Sequence, residues 1–173
     1  MRQYLPLVLF LSTLLTARSP LTAAEPPAVE EPQTAEEFSF TGDVTFHRAG
    51  EVELTADVWV PAGEGPFPAL VMIHGGAWLA GNKFTMRRHA EPAVRRGYTA
   101  VAINYRLAPT HKFPSQIEDC RAAVQWMRKN AAEYKIDPNR IAAYGYSAGG
   151  QLAALLGASG DELLGESVAA GSA

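Results

Sequence analysis

A serine surrounded by small residues is the first feature of the sequence that could do chemistry. The segment GYSAGG at residues 145–150 contains the pattern G-x-S-x-G. In this pattern the serine lies on a sharp turn between a strand and a helix, where Gly145 and Gly149 let the backbone pass without a Cβ clash. The turn presents a hydroxyl that can attack a carbonyl carbon, so the pattern predicts Ser147 as a catalytic nucleophile. The alternative is a glycine-rich turn that only lets a strand and a helix pack.

A second run of small residues, HGGAW at residues 74–78, directly follows the apolar segment ALVMI. An oxyanion hole needs backbone N–H groups that converge on one point and are not used in a β-ladder. Consecutive small residues allow a loop of this kind to come close to a substrate. We predict that the N–H groups of Gly76, Ala77 and Ala148 stabilise negative charge on a reacting oxygen, and that Gly75 supports the loop structurally.

His74 could be taken for the catalytic base, but the chain order argues against it. With this serine motif the order is Ser, then Asp or Glu, then His. We therefore interpret His74 as structural, with its ring holding the loop through hydrogen bonds. The other histidines also precede the serine: His47, His89 and His111. After Ser147 the sequence has three acids, Asp161, Glu162 and Glu166, and no histidine. The catalytic Asp and His are expected to be absent from this chain; a rearranged triad using His89 or His111 is the alternative.

Hydrophobic periodicity predicts the elements that would position these residues. Alternating or continuous apolar patterns predict strands at 40–47, 52–60, 69–73, 98–103 and 141–146. The first two, joined by a turn at 48–51, are predicted to form an antiparallel hairpin. Helical patterns cover about 86–97, 115–133 and the residues after Ser147, with Gly97 ending the first helix and a turn at 137–140. Because strands and helices alternate, we predict a mostly parallel sheet with an antiparallel N-terminal hairpin.

The segment from Ser115 to about Glu133 has the strongest helical pattern. Ser115 and Glu118 have the spacing of a capping box, which predicts Ser115 as the N-cap. Four apolar residues fall on one face at helical spacing: Ile117, Cys120, Val124 and Met127. We interpret Cys120 as a buried small hydrophobic residue, and a reactive thiol is the alternative.

The N-terminal residues resemble a targeting segment. A positive residue, Arg2, precedes an apolar run of 11 residues at 5–15, and small residues follow at 22–24. This layout predicts a signal peptide over residues 1–24, cleaved after Ala24, and a secreted or periplasmic protein without stable membrane insertion. The alternative is a buried N-terminal helix or an uncleaved anchor. Residues 25–37 contain five Glu and three Pro and are interpreted as an acidic, Pro-rich linker.

Composition excludes several classes of function. The chain has 173 residues, 15 Lys or Arg against 18 Asp or Glu, and a formal net charge of −3. A dedicated nucleic-acid binder should instead carry a basic surface. The single cysteine rules out an internal disulfide and a Cys-based zinc cluster, and we predict no metal site.

Four ordered motifs together resemble a known family. HGGAW, NYRLAP at 104–109, FPSQIEDC at 113–120 and GYSAGG are similar to the hormone-sensitive-lipase-like and acetylxylan/feruloyl esterase branch of the α/β-hydrolases, over about residues 40–160. The resemblance implies the α/β-hydrolase fold, with residues 38–157 as the N-terminal half to two-thirds of the domain and 158–173 as a truncated tail. On this fold the strand at 141–146 would have an unpaired edge.

The resemblance also implies an activity, the hydrolysis of carboxylic esters through an acyl-enzyme without a metal or organic cofactor. By this resemblance Ser147 corresponds to the nucleophile, and the backbone amides of Gly76, Ala77 and Ala148 correspond to the oxyanion donors. Ala77 stands where a third glycine is commoner, a change that a backbone donor should tolerate. Three further matching residues are interpreted as structural: Tyr105, Arg106 and Asp119.

The expected substrates are small-molecule or polysaccharide-linked esters with short acyl or aryl groups, such as acetyl and feruloyl esters. Two alternatives remain open at this stage. One is a serine exopeptidase of the prolyl-oligopeptidase type, which shares the serine motif but for which the HGGAW loop is not expected. The other is a catalytically inactive fragment. The sequence does not determine an oligomeric state.

Overall fold

Two antiparallel strands begin the described part of the chain, which in this computed structural model comprises residues 38–158. Strand β1 covers Phe38–Ala49 and strand β2 covers Val52–Pro61. The predicted hairpin is confirmed, although the strands are longer than predicted and only two residues, Gly50 and Glu51, form the turn between them. Strand β2 lies inside the sheet, so residues on both of its faces are buried.

Three parallel strands form the rest of a five-stranded sheet. They are β3 (Phe67–Ile73), β4 (Thr99–Ile103) and β5 (Ile136–Gly145), and the strand order is β1-β2-β4-β3-β5. Strand β3 pairs in parallel with both β4 and β5, while β2 pairs antiparallel with β4. The predicted mixed sheet with an antiparallel hairpin is therefore confirmed. Since the parallel strands end in register, with Ile73 opposite Ile103 and Gly145, the loops that follow them share one edge of the sheet.

Strand β5 begins five residues earlier than the sequence analysis predicted. Its first residue, Ile136, pairs with Phe67, and regular pairing resumes only at Ile141. The residues between, 137–140, were predicted as a turn and form an irregular insertion within the strand. Within the described residues β5 pairs with β3 alone, so it lies at an edge of the sheet, as predicted.

Helices cover both faces of the sheet, as a βαβ arrangement requires. A 3₁₀ turn at Lys83–Met86 leads into α1 (Arg87–Val94), which packs on one face with Trp59 and Met72. Helices α2 (Ser115–Lys129) and α3 (Ala148–Ala158) belong to the core cluster on the other face. No helix within residues 38–158 is both long and apolar enough to cross a membrane.

Helix ends match the predictions only in part. Gly97 has φ +82°, which is the left-handed conformation expected after a helix C-terminus, and its N–H donates to the Val94 carbonyl. The predicted capping box at the start of α2 is wrong. Pro114 occupies the N-cap without a side-chain cap bond, so Ser115 is already helical, and the Glu118 carboxylate instead contacts Arg106. Helix α2 also ends at Lys129, four residues before the predicted end.

The apolar face predicted for α2 is confirmed. Ile117, Cys120, Val124 and Met127 are all buried in the same core cluster. The predicted signal peptide (1–24), the linker (25–37) and residues 159–173 of the predicted tail lie outside the described residues.

Candidate active site

The predicted nucleophile lies on a left-handed bend between β5 and α3. Ser147 has φ +53°, a conformation that costs a non-glycine residue roughly 1–2 kcal/mol. The bend is closed by two backbone hydrogen bonds: the Gly149 N–H donates to the Tyr146 carbonyl at 3.0 Å, and the Gln151 N–H donates to the Ser147 carbonyl at 3.1 Å. Ser147 is exposed. Backbone strain of this kind is stored where the surrounding structure fixes it, and here it presents a hydroxyl at the sheet edge.

Glycines are required on both sides of the bend because backbone segments cross there. A Cβ added at Gly149 would lie 2.1 Å from the Ile73 carbonyl oxygen at the end of β3. One added at Gly145 would lie 2.3 Å from the Gly149 carbonyl oxygen. Real Cβ atoms do not approach backbone this closely, so the supporting role predicted for these two glycines has a steric basis.

The HGGAW segment forms a tight loop after β3. The N–H groups of Leu79 and Ala80 both donate to the Gly76 carbonyl at 3.0 Å. Gly76 has φ +125°, and an added Cβ there would lie 1.9 Å from the Ala80 carbonyl oxygen. Gly76 and Ala77 are exposed, and within residues 38–158 no backbone carbonyl accepts their N–H groups. These amides therefore have the exposure that an oxyanion hole needs.

Ala77 is under conformational strain that the sequence analysis did not foresee. It has φ +52°, and Trp78 after it has φ +61°. A glycine would adopt this conformation without the Cβ penalty. The substitution of the commoner glycine by Ala77 thus keeps the backbone donor but adds strain to the loop.

The loop and the serine bend are in direct contact. A Cβ added at Gly75 would lie 2.8 Å from a ring carbon of Tyr146 and 2.9 Å from the Tyr146 carbonyl oxygen. Tyr146 directly precedes Ser147, and the N–H of Ala148 belongs to the first turn of α3, where backbone donors have no partner within the helix. The structure therefore brings the residues predicted from two separate motifs to one point of the sheet edge.

His74 is buried beneath this loop and contacts it from the inside. Its Nδ1 lies 2.7 Å from the Gly75 carbonyl oxygen, and because a carbonyl can only accept, Nδ1 carries the proton. The ring stacks on Tyr105 with centroids 4.3 Å apart, and the Tyr105 hydroxyl donates to the His74 carbonyl at 3.0 Å. Burial lowers the pKa of His74, which keeps the ring neutral near pH 7. Burial also raises the pKa of Tyr105 to about 12.

His89, which the alternative triad would use, has partners other than the serine. His89 on α1 contacts the Tyr144 hydroxyl at 3.0 Å and accepts from the Nε of Arg88 at 3.1 Å. Within residues 38–158 no histidine ring forms a hydrogen bond with Ser147. The expectation that the triad's Asp and His lie outside this chain therefore stays a prediction. In the same part of the chain, no three His, Cys, Asp or Glu side chains are arranged to hold a metal ion.

A buried lysine, which no local sequence pattern predicted, anchors the far end of the loop. Lys83 is 1% exposed, and its ammonium contacts the buried Asp57 carboxylate and lies 2.8 Å from Asp43. Its N–H also donates to the Asn104 side chain at 2.8 Å. Burial lowers the pKa of Lys83, but its hydrogen bonds with the two carboxylates outweigh burial and leave the pKa raised. The missed signal was Asp57 itself, an acid inside an apolar strand, which requires a partner.

A second ion pair fixes the segment after β4, as predicted for structural residues. The Arg106 guanidinium contacts Asp119 through Nε at 2.9 Å and through a terminal nitrogen at 2.7 Å. Asp119 is fully buried on α2 and also accepts the backbone N–H of Arg106 at 2.8 Å. Hydrogen bonds with Asp119 raise the pKa of Arg106, which keeps the guanidinium charged.

An apolar cavity of about 340 Å³ lies between the loop and the helix that follows the serine. Its walls include Trp78 from the loop, Phe113 before α2, and Leu152 and Leu155 from α3. The Trp78 carbonyl accepts the N–H of Ala108 at 2.8 Å, which holds this part of the loop against the segment after β4. Cavities of this size and character bind small apolar groups.

Comparison with known proteins shows similarity to esterases. The chain is 41% identical over 102 residues to the carboxylesterase NlhH of Mycobacterium tuberculosis, covering 57% of this chain and 31% of that protein. It is 45% identical over 92 residues to an arylesterase of Saccharolobus solfataricus, covering 49% of this chain and 28% of the relative. The chain thus spans about a third of the length of these curated relatives.

Solved structures give the same result for the fold. A hyperthermophilic esterase from the archaeon Pyrobaculum calidifontis matches with a TM-score of 0.64 and 31% sequence identity, covering 74% of this chain and 40% of that one. The predicted α/β-hydrolase fold is confirmed. A sequence model of the BD-FAE family matches residues 56–171, which include both motifs of the site. The protein therefore belongs to the BD-FAE family, within the hormone-sensitive-lipase-like α/β-hydrolases.

Proposed function

We propose that the protein is a carboxylic ester hydrolase that acts through a covalent acyl-serine. The observation that carries this proposal is the contact between two motifs: the strained bend at Ser147 lies against the loop that holds the free amides of Gly76 and Ala77. The relatives named above are esterases, which favours ester hydrolysis over the exopeptidase alternative.

In the proposed reaction the Ser147 oxygen attacks the ester carbonyl carbon, and its proton passes to a general base. The carbonyl oxygen becomes negatively charged and is stabilised by the N–H groups of Gly76, Ala77 and Ala148. The C–O bond to the alcohol then breaks, and the alcohol leaves with a proton. Water cleaves the acyl-serine by the same route in reverse. His74 does not serve as the base in this scheme, since its buried ring is bound to the loop.

Two finer features belong to the proposal. The volume and apolar walls of the cavity at Trp78 and Leu155 support short acyl or single-ring aryl groups, including acetyl and feruloyl groups linked to polysaccharides. The predicted signal peptide supports export to the periplasm or the medium, where such polymers occur. Export predicts a mature N-terminus at Glu25, which N-terminal sequencing of the natural protein would test.

The activity is tested with p-nitrophenyl acetate, a fluorophosphonate probe and two serine variants. In the natural protein, with its general base in place, we expect the probe to modify Ser147 and turnover to be lost in Ser147→Ala. The matched control, Ser39→Ala, removes an exposed hydroxyl on β1 and should behave as wild type. A dipeptide anilide serves as the competing substrate. Turnover that survives Ser147→Ala, or a clear preference for the anilide, would contradict the proposal.

A further inference from the structure

A second depression lies on the other face of the sheet, beside the residue that precedes the serine. It has a volume of about 530 Å³ and is lined by the first residues of the helical segment after the loop and by one residue of the serine bend. The lining residues are Phe84, Thr85, Arg87, Arg88, Glu91 and Tyr146. The reaction scheme above uses none of these side chains.

This depression lies at the same sheet edge as the serine. Strands β3 and β5 are parallel and end in register, so the residues that follow them share that edge. The Tyr146 hydroxyl donates to Thr85 at 3.3 Å, which connects the serine bend to the segment leading into α1. The apolar cavity lies toward α2 and α3, whereas this depression lies toward α1. The serine bend thus lies between the two, since Tyr146 before Ser147 lines the depression and Leu152 on the helix after it lines the apolar cavity.

The depression differs from the apolar cavity in its charge. It is lined by two guanidinium groups and one carboxylate, which gives a local net charge of +1. Arg87 binds Glu91 through Nε at 2.7 Å, and this contact pairs the carboxylate. The Arg88 guanidinium carbon lies 5.8 Å from the centre of the Tyr146 ring, and its Nε donates to His89.

These contacts orient Arg88, and among the described residues only its Nε donates a hydrogen bond. A guanidinium has five N–H donors, and its two terminal nitrogens can bind both oxygens of a carboxylate. Beside it, Phe84 is 64% exposed and offers a flat apolar surface to the group that carries the carboxylate. The net charge of +1 suits a monoanion, and the carboxylate of Glu91 would repel a more highly charged group such as a phosphate dianion.

We infer that this depression is a subsite for a carboxylate on the alcohol portion of the ester substrate, with Arg88 as its principal ligand. The inference rests on the proposed function. The apolar cavity takes the acyl group, so the leaving alcohol lies on the α1 side, next to Tyr146. The preferred substrates are then esters whose alcohol or phenol portion bears an acidic group, such as a carboxyphenol or a uronic acid residue.

Two aryl acetates that differ by one carboxylate test this inference. The acetyl ester of 4-hydroxybenzoate is compared with phenyl acetate on wild type, Arg88→Gln, Arg88→Lys and Arg48→Gln. In Arg88→Gln the ratio of the two KM values should shift about tenfold against the carboxylate ester, the factor expected for a charge-assisted hydrogen bond. Arg88→Lys should restore only part of the preference, because an ammonium cannot bind both oxygens in a planar fork. Arg48→Gln is the matched control, since this arginine is exposed on the hairpin and does not line the depression.

A binding measurement separates this inference from the proposed activity. The unreactive amides 4-acetamidobenzoate and acetanilide are titrated against the full chain by NMR. We expect the carboxylate compound to bind more tightly and to lose that advantage in Arg88→Gln. If neither ester is hydrolysed but this advantage is observed, the proposed activity is wrong and only carboxylate binding at Arg88 is supported. If Arg88→Gln leaves both the KM ratio and the binding advantage intact, the subsite assignment is wrong.

Discussion

Replacing Lys83 by methionine should destabilise the protein by about 3 kcal/mol. The change keeps the length and apolar body of the side chain but removes an ammonium that contacts two carboxylates. Asp57, whose side chain is 4% exposed, would keep the Asp43 N–H, at 3.0 Å, as its only donor among residues 38–158. Breaking a buried ion pair by removing one partner costs about 3–5 kcal/mol, and the remaining N–H puts this site at the low end. Asp43 adds little because its side chain is 75% exposed and water can solvate it.

The assay is equilibrium unfolding in urea of wild type and three variants. Lys135→Met is the matched control, since this exposed lysine donates to the Gly63 carbonyl at the surface, and it should cost less than about 1 kcal/mol. Asp57→Asn combined with Lys83→Met should cost less than the sum of the two single changes, with a coupling of roughly 2 kcal/mol. A loss below about 1 kcal/mol for Lys83→Met, or strict additivity in the double variant, would refute the assignment of Lys83 as the anchor of the loop.

Three further predictions concern the site and the core. Gly149→Ala should lower the free energy of unfolding by about 1–3 kcal/mol and abolish probe labelling at Ser147, because its Cβ would overlap the Ile73 carbonyl. Gly157→Ala is the control, since no atom of residues 38–158 lies within 4 Å of the Cβ it adds, and it should change neither. Equal effects of the two changes would contradict the steric argument. The pKa of His74 is lowered from 6.5 in the folded state, so the unfolded chain binds more protons and stability should fall as pH drops below about 6.5. Thermal unfolding of wild type at pH 5–8 should show this fall. A His74→Gln variant with the same pH profile as wild type would disprove it. Burial raises the pKa of the Cys120 thiol, so a disulfide reagent should modify it only after unfolding, and rapid labelling of the native protein would contradict its core assignment.

Much of the fold could be predicted because its signals are local. The alternation in the hairpin, the short apolar runs of the parallel strands and the one-sided apolar face of α2 each depend on neighbouring residues. The supporting glycines could also be anticipated, since a strand-to-helix bend needs small residues whichever partners cross it. The structure adds what those partners are, namely the carbonyl of Ile73 for Gly149 and the ring of Tyr146 for Gly75.

The features that sequence reasoning missed depend on residues far apart or on competing partners. Lys83 and Asp57 are 26 residues apart, and nothing local identifies a lysine as buried. The capping box failed because Pro114 occupies the N-cap in place of Ser115, and the Glu118 carboxylate contacts Arg106. The strained backbone at Ala77 could not be predicted because alanine is unusual at positive φ, so an alanine at this position does not indicate a left-handed turn.

The crossing of backbones at Gly149 and Gly75 has a consequence for how such a protein can acquire new specificities. The groups proposed to stabilise charge are peptide amides, which every amino acid except proline supplies, and their positions are fixed by main-chain contacts. Side chains such as Trp78, Leu155 and Arg88 surround this frame without forming it. For the proposed ester hydrolase, changes to those walls would alter which ester is accepted and leave the frame intact, so recognition and reactivity would reside in separable parts of the same small structure.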